Sequence, residues 1–228
     1  MIRVYWYIIM ICLFMVGCNN SDTAKKPGQK SVDADQNISD TAGKNTNPEE
    51  LLMKEIQTIS KRDFRKATWG MPRAKVKLTE ADDPISEDDS AVIYSRKIAG
   101  MDALMGYVFV DDKLIKAKYM FQQPHSDSNA YITDYNNLKK ALEKKYGKAK
   151  AERVVWSNDL YTKITAEWGK ALELGYVTFI SYWETKNAGI SLSLKGENYK
   201  IDLWLEYKSK ALANLEKKAG AKQKGGGR

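Results

Sequence analysis

The stretch Ile190-Ser191-Leu192-Ser193-Leu194-Lys195-Gly196-Glu197-Asn198-Tyr199-Lys200-Ile201-Asp202-Leu203-Trp204-Leu205-Glu206-Tyr207 decides the fold class. Ile190, Leu192 and Leu194 alternate with polar residues, and Tyr199, Ile201, Leu203, Leu205 and Tyr207 continue the alternation after Gly196-Glu197-Asn198. A period of two belongs to a strand with one buried face, and a short polar segment between two such runs predicts an antiparallel hairpin. Trp204 falls in the series of Lys200, Asp202 and Glu206, opposite the apolar face. A Trp exposed on an otherwise polar sheet face is a candidate interface anchor.

The same pattern recurs upstream. Tyr107-Val108-Phe109-Val110, the turn Asp111-Asp112-Lys113, and Ile115, Ala117, Tyr119 and Phe121 interleaved with Lys116 and Lys118 predict a second hairpin, which Pro124 ends. Val92, Tyr94 and Ile98 predict a strand in which Arg96 breaks the apolar pattern. Leu160, Ile164, Ala166 and Trp168 alternate with Tyr161, Lys163, Thr165 and Glu167 and predict another, followed by one from Tyr176 to Trp183. Tyr131, Tyr135, Leu138, Leu142 and Tyr146 share a helical face, and Lys144, Lys145 and Gly147 terminate that helix. A short helix is expected from Pro72 through Val76, and Ser209 is expected to cap another through Leu212 and Leu215. These elements predict an α+β domain over residues 48–208, an antiparallel sheet with helices packed on one face. The order of helix, strands and hairpin occurs at 72–122 and again at 130–207, so a tandem helix-plus-strands repeat is the pattern-level expectation.

The remainder of the 228 residues reads as appendages. Arg3 precedes an unbroken apolar run from Val4 to Val16, which is the layout of a secretory signal and too short for a comfortable bilayer span. Residues 18–47 hold few aliphatic side chains and read as a disordered tether. Asn47-Pro48-Glu49-Glu50 carries the signals of a helix start, with Leu52, Ile56 and Ile59 as its stripe. Residues 209–228 read as the short helix and a basic, disordered tail, with six basic residues against one acidic. The net charge of +8 is thus concentrated at one end, and the charges of both signs interspersed elsewhere give no reason to expect nucleic acid.

The chemistry on offer is narrow. One His and two Cys, of which Cys12 lies in the signal, leave too few ligands for zinc built on Cys and His, too few groups for a Cys/His pair, and no internal disulfide. No Gly-rich phosphate loop, Gly-x-Ser-x-Gly elbow or His-Glu-x-x-His is present. Glu87-Asp88-Asp89 lacks the spacing and turn glycine of an EF-hand, His125 lies in a predicted loop, and Asp82/Asp83 and Asp111/Asp112 sit adjacent in turns. No catalytic residue, metal site or cofactor is therefore assigned.

Met15-Val16-Gly17-Cys18 resembles the lipobox of bacterial lipoproteins. The resemblance implies cleavage between Gly17 and Cys18, lipidation of Cys18 and a membrane-anchored, periplasm-facing protein of the cell envelope. Asn19 in place of Asp favours the outer membrane over the inner by the same resemblance. Gly70-Met71-Pro72-Arg73-Ala74-Lys75-Val76 resembles the helix start of the small lipoprotein of the outer-membrane β-barrel assembly complex, and of each half of the β-lactamase inhibitor proteins, with Pro72 in place of a capping Ser or Thr. Phe64-Arg65 and Trp69-Gly70-Met71, with Lys144-Lys145-Tyr146-Gly147, are also similar to a group of bacterial envelope proteins. This likeness implies a domain that binds another envelope protein through its sheet or a helix face. The function expected is thus a non-catalytic protein-binding module, an assembly factor or an inhibitor. The alternatives are a carrier of a lipid or other apolar ligand and, third, a hydrolase whose carboxylates converge in space.

Overall fold

The computed structural model describes residues 63–217. The signal at 1–17 with Gly17 and Cys18, the tether at 18–47, the helix start at Asn47 and the tail after Lys217 lie outside the described residues.

Strands β1 (Ser86–Glu87), β2 (Ala91–Ile98), β3 (Met101–Val110) and β4 (Lys113–Phe121) form one antiparallel meander. Strands β5 (Ala151–Trp156), β6 (Val177–Glu184), β7 (Ala188–Glu197) and β8 (Lys200–Ser209) form a second. The sheet order is β1-β2-β3-β4-β8-β7-β6-β5, so the meanders meet where β4 pairs with β8. Helices α1 (Arg73–Lys77), α2 (Asn129–Tyr146) and α3 (Trp168–Glu173) complete the α+β fold.

Hairpin chemistry sets the registers. Ala99-Gly100, Asp111-Asp112 and Asn198-Tyr199 each place both turn residues at positive φ, between 49° and 81°, the conformation of a type I′ turn. Such turns match the twist of the strands they join. The turn expected at Gly196-Glu197-Asn198 forms instead at Asn198-Tyr199, because Gly196 and Glu197 still pair with Ile201 and Lys200. Tyr199 accordingly leaves the apolar face and lies exposed in the turn. Gly196 serves a different end. A Cβ there would stand 1.7 Å from the Leu172 carbonyl oxygen, so its missing side chain lets the end of α3 rest on β7.

The strand expected over 160–168 is not present. Leu160 and Ile164 are 63% and 50% exposed in a loop, Thr165–Glu167 is a 3₁₀ turn, and α3 begins at Trp168. The winning pattern is helical. Ala171 and Leu172 follow Trp168 at three and four residues and bury one face, and Gly175 ends the helix at φ 73°. The strand of this region is β5, nine residues earlier.

The helical layer lies over one side of the sheet. Tyr135, Leu138, Ala141 and Leu142 of α2 are buried against it, and the Trp183 indole N–H donates to the Gly147 carbonyl at 3.0 Å. From the sheet, Tyr94, Tyr107, Leu192, Leu203, Leu205 and Tyr207 face the same core. Pro72 gives α1 no side-chain cap, and Asp112 supplies one from the β3–β4 turn, its Oδ1 accepting from the Arg73 N–H at 3.0 Å. At the C-terminal end, Ser209 Oγ accepts from the Leu212 N–H at 3.2 Å and residues 213–217 are helical.

Gly196→Ala is expected to cost about 2–3 kcal/mol, the upper range for an intolerable overpacking, because the atoms a Cβ would meet, in Leu172 and Glu173, are all backbone. Denaturant unfolding measures it, and an unchanged midpoint would show that α3 can lift away without loss.

Candidate functional site

The sheet presents a face opposite the helices, and its central strands place Trp204 there. Trp204 is half-buried rather than standing alone on a polar face. The ladder sets Leu104, Met120, Trp204, Ser193 and Ile180 side by side across β3, β4, β8, β7 and β6. Lys118 Nζ stands 4.4 Å and Lys195 Nζ 5.6 Å from the Trp204 ring centroid, so two cations flank the indole. Burial lowers the Lys118 ammonium below the usual lysine range and raises the Asp202 carboxyl above the usual aspartate range.

The two edges of the sheet differ. At β1 the edge is two residues long, and Glu87 is held by Lys77 at 2.6 Å and by Arg73 at 3.5 Å. A short charged edge strand is a usual defence against unwanted pairing. At β5 the edge is six residues long, and Val154 and Val155 are 47% and 49% exposed. With Leu160 and Ile164 in the following loop and Tyr182 opposite Ala151, most of the large apolar side chains exposed among the described residues belong to this edge.

Between α2 and β5 runs a groove of about 190 Å³. Ile132, Tyr135 and Lys139 form the helical wall, Glu152 and Val154 the strand wall. Phe179 and Trp168 lie beneath, their rings 5.9 Å apart, and Trp156 meets Trp168 edge-on at 5.6 Å. The Tyr135 hydroxyl shares a hydrogen bond with Ser181 Oγ at 2.6 Å, and burial pushes that phenol up to about 12. Lys139 Nζ reaches across to Glu152 at 2.7 Å and bridges the two walls. The Trp168 indole N–H is buried there with no hydrogen-bond acceptor among the described residues. Sequence reasoning missed this groove because β5 buries neither face and therefore shows no alternation. The β-branched pair Val154-Val155 was the available signal.

Elsewhere the charged side chains pair with one another. The Glu80 side chain, 2% exposed, accepts from Arg96 at 2.8 Å, Arg65 at 3.2 Å and the Tyr107 hydroxyl at 2.5 Å. Arg96 also holds Asp82 at 2.6 Å, which explains why an arginine interrupts the apolar series of β2. Burial opposes ionisation of Glu80, yet the hydrogen bonds from Tyr107, Arg96 and Arg65 outweigh it and hold the carboxyl below the ordinary range. His125 Nε2 lies 2.6 Å from Asp134 Oδ2 with its ring edge-on to Tyr131. Among the described residues no group of three or more His, Cys, Asp or Glu could hold a metal ion, and no helix is long and apolar enough to cross a membrane.

Comparison with protein-family models, curated proteins and solved structures returns no match.

Because its folded pKa lies below the unfolded glutamate value of about 4.3, Glu80 contributes stability above that pH. The contribution is lost as pH falls through the lower, folded value. Glu80→Gln is expected to cost about 3 kcal/mol at pH 7 by removing the carboxylate shared by Arg65 and Arg96 and leaving Arg96 with Asp82 alone, with the deficit shrinking below pH 4. Melting curves at pH 7 and pH 3 check this, and a deficit independent of pH would overturn the account.

Proposed function

We propose that this chain is a non-catalytic protein-binding module of the bacterial cell envelope, held at the membrane through lipid on Cys18 and facing the periplasm. The observation that carries the binding role is the β5 edge, where an exposed apolar surface adjoins a groove. Monomeric proteins rarely leave such a surface without use. The interleaved charges elsewhere and the saturated Glu80 cluster offer no comparable centre.

The groove volume weighs against the carrier. A pocket that encloses a lipid or other small apolar ligand is expected to measure about 300–1,000 Å³, and about 190 Å³ between α2 and β5 falls below that range. It matches a single inserted side chain instead. A hydrolase would need two carboxylates facing one cleft, whereas the Glu152 carboxylate in this groove is paired with Lys139.

The anchor rests on the likeness of Met15-Val16-Gly17-Cys18 to a lipobox and on the acyl chains it implies. Mass spectrometry of protein extracted from host membranes is expected to show cleavage after Gly17 and lipid on Cys18. Cys18→Ser should remain uncleaved at full precursor mass, and a mature mass without lipid would overturn the anchor. A photoreactive residue at Val155 is expected to give a discrete protein adduct in living cells, and the same residue at the more exposed Leu78 none. Adducts at neither position, or equal adducts at both, would overturn the binding role.

A further inference from the structure

The alternation of β5 fixes what its free edge offers. Ser157 N–H donates to the Tyr176 carbonyl at 2.8 Å, so Val155, Arg153 and Ala151 direct their backbone groups at β6. The N–H and C=O groups of Glu152, Val154 and Trp156 therefore point away from the sheet, and β5 ends the strand order. The side chains of those three residues turn toward α2, since Val154 pairs with buried Phe179 and Trp156 with buried Val177. Arg153 and Val155 turn to the opposite face. An incoming strand thus meets three backbone positions, a one-side-chain groove on one face and a cation on the other.

The charges select the occupant. Lys139 is matched by Glu152 at 2.7 Å, but Arg153 is exposed, opposite Ile180, and has no carboxylate partner among the described residues. A second copy of the chain would not supply one. Self-pairing centred on Val154 sets Val155 against Arg153, and self-pairing centred on Glu152 sets two carboxylates side by side. Resting on the protein-binding reading above, we propose that β5 takes a ninth strand from a partner protein, an extended segment in which an apolar residue entering the groove beside Val154 adjoins an acidic residue that pairs with Arg153. Backbone hydrogen bonds supply most of the affinity in this mode, the pocket and the charge the selectivity.

The test is selection of random phage-displayed peptides on the full-length protein in detergent, followed by fluorescence anisotropy of the enriched sequences. The enriched peptides are expected to share an apolar residue next to Asp or Glu. Val154→Pro removes an outward N–H at a position where an edge strand tolerates proline, and should weaken binding at least tenfold with cooperative melting retained. Arg153→Glu should weaken it about three- to tenfold and favour the peptide in which Lys replaces the acid. Methylating alternate peptide nitrogens should also abolish binding, which tests the backbone contacts without altering the protein. Peptides that bind Val154→Pro and the methylated form as before would overturn strand addition while leaving the protein-binding reading intact. A dimer in solution that Val154→Pro dissolves would assign the edge to a second copy and overturn the partner segment. Failure to enrich any peptide, together with no adduct from position 155, would overturn both.

Discussion

The pairing of β4 with β8 is the constraint on which the rest of the fold depends. Two meanders that each end in an open edge become one eight-stranded sheet only because Lys116–Phe121 lies antiparallel to Leu203–Lys208. Beneath that seam Phe64 packs against Tyr119 at 5.3 Å, Tyr207 at 5.2 Å and Tyr107 at 5.5 Å. One fully buried ring thus touches both halves, and aromatic pairs at these separations add to the area they bury. The helices rest on the platform so made. The end of α3 contacts Gly196 in the second half, while α1 takes its cap from Asp112 in the first.

Much of this platform is legible in the sequence, because strands with one buried face must alternate. The hairpin of β7 and β8, the hairpin of β3 and β4 and the buried stripe of α2 follow from period alone. Legibility fails where burial is uneven. Leu160 and Ile164 mimic a strand while lying exposed in a loop, and the helical spacing of Trp168, Ala171 and Leu172 is only a turn and a half long. β5 escapes notice for the opposite reason, as an edge strand whose two faces are both open. Gly196 reads as a turn residue, and the contact that requires glycine there comes from a carbonyl 24 residues away in sequence, at Leu172. Arg96 breaks its strand's pattern for a partner, Glu80, that periodicity cannot reveal.

The candidate site inherits this partial legibility. Trp204 is found by alternation, but its neighbours Leu104, Met120 and Ile180 emerge only once the register aligns them. The groove beside β5 needs α2, β5, β6 and α3 together, so no single stretch of sequence announces it. Its chemistry is nonetheless ordinary: among the described residues, a ladder edge with no further strand, two exposed valines and a guanidinium with no carboxylate partner. The contrast with β1, where two residues and three charged side chains close the other edge, is what gives the β5 edge its meaning.

The strand order also bears on how the chain acquires its structure. β4 finds its partner in the last strand, so the first meander keeps an unpaired edge until residues beyond Leu203 have been made. Such distant pairing carries a large loop-closure entropy and slows folding. A chain emerging from its amino end exposes β4, with its Ala117, Tyr119 and Phe121 face, for as long as the second half is incomplete. Folding order is thereby coupled to the arrival of β8, and the domain cannot commit to its native core on the first meander alone.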